Sequence, residues 1–187
     1  MLKAKILESE REKSELYSVR YKVFVENEKT VPAEEYPNGL LKDKCDEHAY
    51  HIGCYEDDVL VGFFSLIVKI KDELLEVEQT HNLVSKHDEK CAEVMRLVVL
   101  DTPYTNSISL KGNVLNLLFD RLKDIIISEE ITHLLLQSRE KSKKMYERIG
   151  FLQVGDYKLY RGTSYQCPMK LDVMQVNQRI VNIANNK

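Results

Sequence analysis

The chain has 187 residues, 43% hydrophobic and 30% charged, with a formal net charge of −3. That length suits one domain with its own core, and the composition excludes a disordered chain. The small negative charge gives no electrostatic footprint for nucleic acid. No apolar run approaches the roughly 18 residues of a membrane span. The opening MLKAKILESERE turns polar too early for a secretory signal, so the chain reads as cytoplasmic. Cys45, Cys54, Cys91 and Cys167 are scattered, with no C-x-x-C pair, and read as reduced thiols without a metal.

Lys3 to Leu7 is a short candidate strand. Ser9 and Glu12 have the spacing of a capping box, and Leu16, Val19, Val23 and Phe24 form the stripe of the helix it would open. Pro32, Pro37, Asn38 and Gly39 mark a long irregular segment ending near Asp46. Tyr50 to Tyr55 and Val59 to Ile70 read as two strands joined by a tight Glu56-Asp57-Asp58 turn. Glu73 to Lys90 is polar and takes no assignment. Val94 to Leu100 (VMRLVVL) is a near-continuous apolar strand of the kind found inside a sheet. The loop Asp101–Lys111 follows. A helix then carries Val114, Leu117, Leu118, Leu122, Ile125 and Ile126 on one face.

Thr132 to Gln137 reads as a buried strand leading into a short basic helix that carries Tyr146. Ser138 is the candidate N-cap of that helix, and Gly150 the residue after its end. Strands near Phe151–Val154, Lys158–Tyr160 and Gln166–Val173 close the pattern. The tail 174–187 is weakly helical. The order β-α-loop-β-β-β-α-β-α-β-β predicts an α/β fold with one mixed central sheet flanked by helices.

A tyrosine on the face of a short helix is ordinarily a packing residue. At the carboxyl end of a strand, beside a helix start, it also lies where α/β folds bind ligands. A phenol near pKa ~10 is a suitable acid for a departing thiolate. Both readings of Tyr146 stay open.

Three segments in order, RYKVFV (20–25), VMRLVVL (94–100) and MYERIGF (145–151), resemble the GNAT acyltransferases. The resemblance covers roughly residues 10 to 172, so residues 1–173 are expected to form one GNAT-like domain. Within that superfamily the chain is similar to the acyl-homoserine-lactone synthases and long-chain N-acyl amino acid synthases. Arg20 and Phe24 match their Arg-x-x-Val-Phe. Asp43 and Asp46 match their Asp-x-x-Asp, with His48 close behind. Glu93 and Arg96 match their Glu-x-x-Arg.

Two departures stand out. The lactone synthases carry arginine where this chain has Ser65, and a tryptophan where it has none, which points away from lactone synthesis from S-adenosylmethionine. CoA-dependent members cradle pyrophosphate on a glycine-rich loop, whereas here Gly112 is the only glycine between Phe63 and Ile149. A phosphopantetheine on an acyl carrier protein, which ends in a single phosphodiester, fits that absence. Irregular CoA binding is the other reading.

The resemblance implies an N-acyltransferase with no permanently bound cofactor and no metal. Its co-substrate would be acyl-ACP or acyl-CoA, and its acceptor an amino acid or related small amine. Tyr146 would protonate the thiolate. Glu93, through water, or His48 would take the proton of the amine. Leu97, Val98, Val99, Lys111, Gly112, Ser138 and Lys141 would bind the donor, whose pantetheine would lie between the strands at 94–100 and 132–137. Arg20, Phe24, Asp43, Asp46 and Arg96 would shape the substrate loop. Glu93 and Arg96, three apart on a strand, should face opposite ways. Arg139, Lys141, Lys143, Lys144 and Arg148 would make a docking patch for an acidic carrier protein, if they are more than a solvated helix face. The alternatives are an ordinary acetyl-CoA-dependent N-acetyltransferase and a non-catalytic acyl- or carrier-binding module on the same fold.

Overall fold

The computed structural model describes residues 1–71 and 73–175. Eight strands line up in one sheet in the order β1-β2-β3-β4-β5-β8-β6, with β7 paired to β8. They are β1 (Lys3–Ile6), β2 (Ala49–Glu56), β3 (Val59–Val68), β4 (Cys91–Val99), β5 (His133–Ser138), β6 (Leu152–Gln153), β7 (Lys158–Tyr160) and β8 (Ser164–Asp172). The helices are α1 (Glu10–Arg20), α2 (Glu76–His81), α3 (Ile108–Ser128) and α4 (Glu140–Ile149). The mixed α/β fold expected from the sequence is the fold observed. The chain divides into two compact units, one of Met1–Ile67 with Val94–Ser128, the other of Val68–Glu93 with Glu129 onward.

In the first unit β1, β2 and β3 form an antiparallel meander. Asp57 and Asp58, both at positive φ (48° and 66°), make the two-residue turn between β2 and β3, the twist-matched geometry for a hairpin. The capping box at Ser9 is present. The Ser9 side chain accepts from the Glu12 N–H, and the Glu12 carboxylate accepts from Ser9. The helix does not continue regularly to Phe24. From Tyr21 to Asn27 it widens into a π-helix, closed by bonds such as Glu28 N–H to the Val23 carbonyl. The extra residue per turn rotates Val25, rather than Val23, into the interior.

Leu7, Leu16, Leu60 and Phe63 form one apolar cluster, with Val98 and Leu100 packed against it. The long segment after α1 carries a second cluster of Val25, Val31, Tyr36 and Leu41. The segment is also tied to α1 by Leu41 N–H on the Tyr17 carbonyl. Gly62 on β3 allows a close approach. A Cβ there would lie 2.6 Å from Val114 Cγ1 and 3.1 Å from the Val98 carbonyl oxygen.

The second unit holds the parallel β4–β5 ladder of three pairs, ending at Glu93↔Leu135, and the six antiparallel pairs of β5 with β8. It also holds α2, a helix that arises where the sequence took no assignment. Asn82 ends it in the left-handed conformation (φ 56°), a conformation asparagine tolerates better than most residues. The weakly helical tail expected at 174–187 lies outside the described residues beyond Gln175.

Candidate active site

In the first unit the substrate-loop residues gather around a buried guanidinium. Arg20, fully buried on the last turn of α1, donates to Asp46 Oδ1 at 2.8 Å and to the Ser65 hydroxyl. A second N–H lies 3.3 Å from His51 Nδ1. Ser65 Oγ is 2.7 Å from the same Nδ1, and the Tyr17 hydroxyl is 3.0 Å from His51 Nε2. Because Nδ1 accepts from two donors, the ring proton sits on Nε2 and is donated to Tyr17. Burial, reinforced by the charge of Arg20, pushes His51 down to about 4. Burial pushes Tyr17 up to about 12. The ring is therefore neutral and the phenol protonated at physiological pH.

Asp43 and Asp46 cap the short 3₁₀ turn Lys44–His48 reciprocally. Asp43 accepts from Tyr36 and from Arg96, and Arg96 also lies 4.0 Å from Asp46. Arg20, Asp43, Asp46 and Arg96 are thus brought into one ion-pair network. Phe24 packs half-buried against both apolar clusters. His48 ends the turn, exposed. The histidine inside the network is His51, three residues on, which the sequence pattern did not single out.

Arg96 has φ 55° within β4, a conformation that a non-glycine residue rarely adopts inside a strand. It breaks the two-residue alternation on which the opposite-face expectation for Glu93 and Arg96 rested. Leu97, Val98 and Val99 follow it, each half-buried.

The expected loop at Asp101–Lys111 is shorter than its sequence suggests. A 3₁₀ turn at Pro103–Thr105 is pinned by the Thr105 hydroxyl on the Leu100 carbonyl. Ser107 then starts α3, accepting from Leu110 N–H at its side chain and from Lys111 N–H at its carbonyl. Lys111 and Gly112 therefore lie inside the helix. Lys111 is ion-paired with Asp101, and a Cβ on Gly112 would meet nothing within 4 Å.

In the second unit Glu93 is 2% exposed. Its carboxylate accepts from Val77 N–H at 3.1 Å at the start of α2 and is hydrogen-bonded by the Gln137 side chain. Burial first, then the charge of Glu76, pushes Glu93 up to about 8. Glu76 in turn accepts from the Tyr160 hydroxyl at 2.8 Å and from Arg161. Gln137 Oε1 is 3.1 Å from His81 Nε2. Glu76, Gln137 and His81 are residues the sequence did not flag. They come from an unassigned polar stretch and from a strand end that looked merely apolar.

Ser138 is the last residue of β5, buried, with its hydroxyl donating to the Arg139 carbonyl. The N-cap of α4 is Arg139, not Ser138, because the strand runs one residue further than expected. Lys141 is exposed on the first turn of α4. Lys143 is paired with Glu147 at 3.4 Å.

Tyr146 is partly buried. Gly150, at φ 116°, closes α4 as expected: its N–H reaches the Glu147 carbonyl while Phe151 N–H reaches that of Tyr146. These are the two bonds of a Schellman motif. Burial pushes the phenol of Tyr146 up to about 12, against a smaller opposing effect of Arg139, so it holds its proton throughout the physiological range.

The four cysteines are free thiols. Among the described residues, no group of histidines, cysteines and carboxylates could hold a metal ion, and no helix is long and apolar enough to cross a membrane.

Residues 15–172 match the model of a family described as N-acyl amino acid synthase FeeM. No curated protein matches the chain in sequence. Among solved structures, FeeM, an N-acyl amino acid synthase from uncultured soil microbes, superposes with a TM-score of 0.73 at 18% identity, covering 95% of this chain and 93% of its own. The acyl-homoserine lactone synthase LasI gives 0.71 at 15% identity, covering 92% and 90%. The CoA-dependent lactone synthase BjaI, with SAM and isopentyl-CoA, gives 0.67 at 17% identity, covering 96% and 89%. At these identities the superpositions establish the fold.

Proposed function

The chain belongs to the N-acyl amino acid synthase FeeM family, and from that membership we infer that it moves an acyl group from a thioester to the amine of an amino acid or similar small molecule. It is a GNAT-type N-acyltransferase. Residues 1–173 form one catalytic domain in this reading, which is supported by a family match that runs through both compact units.

The observation that carries the mechanism is the environment of Glu93. A carboxyl pushed up to about 8, buried yet met by a backbone N–H, is basic enough to take a proton from an ammonium group, and its charged form becomes available as pH rises toward that value. Glu93 therefore takes the base role rather than His48, which is exposed on a turn. The acceptor ammonium gives one proton to Glu93, and the neutral amine attacks the thioester carbonyl. The C–N bond forms, the C–S bond breaks as the tetrahedral intermediate collapses, and the amine nitrogen loses its second proton to water. Tyr146 donates its proton to the departing thiolate and is reprotonated from solvent.

Acyl-ACP is the favoured donor. At the start of α3 the Leu110 and Lys111 amides are bonded to Ser107 and the Lys111 ammonium is paired with Asp101, which reduces what that helix start offers a pyrophosphate. Acyl-CoA is the second reading, and BjaI, of the same fold, is CoA-dependent. Thiol release from acyl-ACP, long-chain acyl-CoA and acetyl-CoA, each with a pool of amino acids, tests both points. Turnover with acyl-ACP exceeding that with acyl-CoA supports the donor assignment. Turnover confined to acetyl-CoA would return the chain to an ordinary N-acetyltransferase. Release with no donor would leave a binding module.

A further inference from the structure

We propose that Arg161 is a positioning residue for Glu93, acting through Glu76: it clamps the residue that opens α2, and the next residue of that helix supplies the Val77 N–H to the Glu93 carboxyl. Every link is a contact within the second unit. Arg161 Nη2 and Nε lie 2.8 Å and 3.1 Å from Glu76 Oε1, and the Tyr160 hydroxyl donates to the same oxygen at 2.8 Å. The guanidinium also lies over the Tyr160 ring, 5.4 Å from its centroid. One peptide on from Glu76, the Val77 N–H lies 3.1 Å from Glu93 Oε2.

Two features separate this ion pair from an ordinary surface one. All three donors converge on Oε1, whereas Oε2 is buried with no hydrogen-bond partner among the described residues. The Glu76 carboxylate is therefore held from one side, by β7 and the turn after it. The second feature is the backbone of that turn. Arg161 has φ 46° and is followed by Gly162 at φ 68°, and together they lead from Tyr160 back to Ser164, its register partner on β8. Glycine or asparagine adopts a left-handed backbone more readily than arginine. What arginine brings to position 161 is its side chain, not the turn.

Of the charges on the elements around Glu93, that of Glu76 acts on it most strongly. Glu78 on α2 is neutralised by Lys69 at 2.7 Å, and Lys158 on β7 is felt at His81. Gln137 on β5, two residues beyond Leu135, the register partner of Glu93, carries no charge. Burial and the Glu76 carboxylate favour the protonated acid, and the Val77 N–H favours the carboxylate. Without Arg161 both balances move the same way. Glu76 loses its compensating cation, and the first turn of α2 loses its tether. Glu93 then holds its proton to higher pH, so Arg161 keeps the charged form of Glu93 within reach of neutral pH.

Glu93 is read directly, by ¹³C titration of its carboxyl, assigned through Glu93→Gln. Arg161→Met should raise the midpoint by about one pH unit. Arg161→Gly should raise it equally, although glycine suits the backbone of the turn, and it decides the matter should Arg161→Met not fold. In both variants the Val77 amide should exchange with solvent roughly tenfold faster, while the Leu134 amide, between β4 and β8, keeps its rate. Glu76→Leu removes the charge and the point of attachment together, so adding Arg161→Met to it should move the midpoint by only a few tenths of a unit. An unmoved midpoint in a folded Arg161 variant, or a shift of full size in the Glu76→Leu background, would overturn the proposal. Only the kinetic consequence rests on Glu93 being the base. With the midpoint raised by a unit, kcat/KM at pH 7 should fall about tenfold and recover at higher pH. If the midpoint moves and the acid limb of kcat/KM does not, Glu93 is not the base, and the mechanism fails while the clamp stands.

Discussion

Tyr146 and Phe151 meet with ring centroids 5.8 Å apart and planes inclined at 71°, and the same pair shares the Phe151 N–H to Tyr146 carbonyl bond that ends α4. The contact is the apolar partner of a Schellman cap. The spacing Tyr-x-x-x-Gly-Phe is accordingly a helix-ending device, and the acid role proposed for Tyr146 would reside in a different atom, the phenol oxygen. Tyr146→Phe keeps the ring and removes the hydroxyl. It should leave Tm nearly unchanged and lower kcat about 100-fold, with donor affinity intact. Wild-type turnover in that variant would remove the acid role. Phe151→Ala should cost about 3 kcal/mol of stability by denaturant unfolding.

The buried His51 predicts how stability depends on pH. Its folded value lies near 4, below the ordinary value of about 6.5. Between those limits the unfolded chain binds more protons than the folded one, so stability falls as pH drops from about 6.5 toward 4 and is unaffected by this group above that window. His51→Gln should flatten the slope of unfolding free energy in that window. An unchanged slope would mean that the ring titrates normally in the fold.

Gly62 should not accept a methyl group. With Val114 Cγ1 at 2.6 Å and a backbone oxygen at 3.1 Å from the position of a Cβ, Gly62→Ala has to displace α3 or β4. It should cost about 1–3 kcal/mol, measured by urea unfolding. A loss within 0.5 kcal/mol would show that the helix shifts freely.

The expectation that an acidic carrier protein docks on the basic residues of α4 is tested by charge reversal, whose effect should depend on salt. Lys144 is exposed, whereas Lys143 is engaged with Glu147 along the helix. Lys144→Glu should therefore weaken acyl-ACP binding more than Lys143→Glu, roughly tenfold at low salt, and the difference should shrink at high salt. Equal affinity of wild type and Lys144→Glu at low salt would place the docking surface elsewhere.

The architecture was legible because its signals are local. Alternating or continuous apolar runs mark the strands, Ser9 with Glu12 marks one helix start, and Gly150 marks one helix end. Arg20, Asp43, Asp46 and Arg96 were legible as a set only through resemblance, since nothing in their spacing says that a π-helical turn and a 3₁₀ turn bring them together. Glu76, His81 and Gln137 were not legible. Each acquires its importance from burial and from a partner between 17 and 56 positions away, and neither carries a local signature. Ser138 was misplaced by one residue, within the ordinary uncertainty of a strand–helix junction.

Ser65 has a consequence for how this chain can change. Its hydroxyl occupies a fully buried corner beside the guanidinium of Arg20 and the neutral ring of His51. An arginine there, as in the lactone synthases, would set a second cation against Arg20 with no water to screen it. The residue is therefore not independently exchangeable. A larger, charged side chain at position 65 has to be matched by a change in the residues around it, His51 first, since that ring meets both the Ser65 hydroxyl and the Arg20 guanidinium.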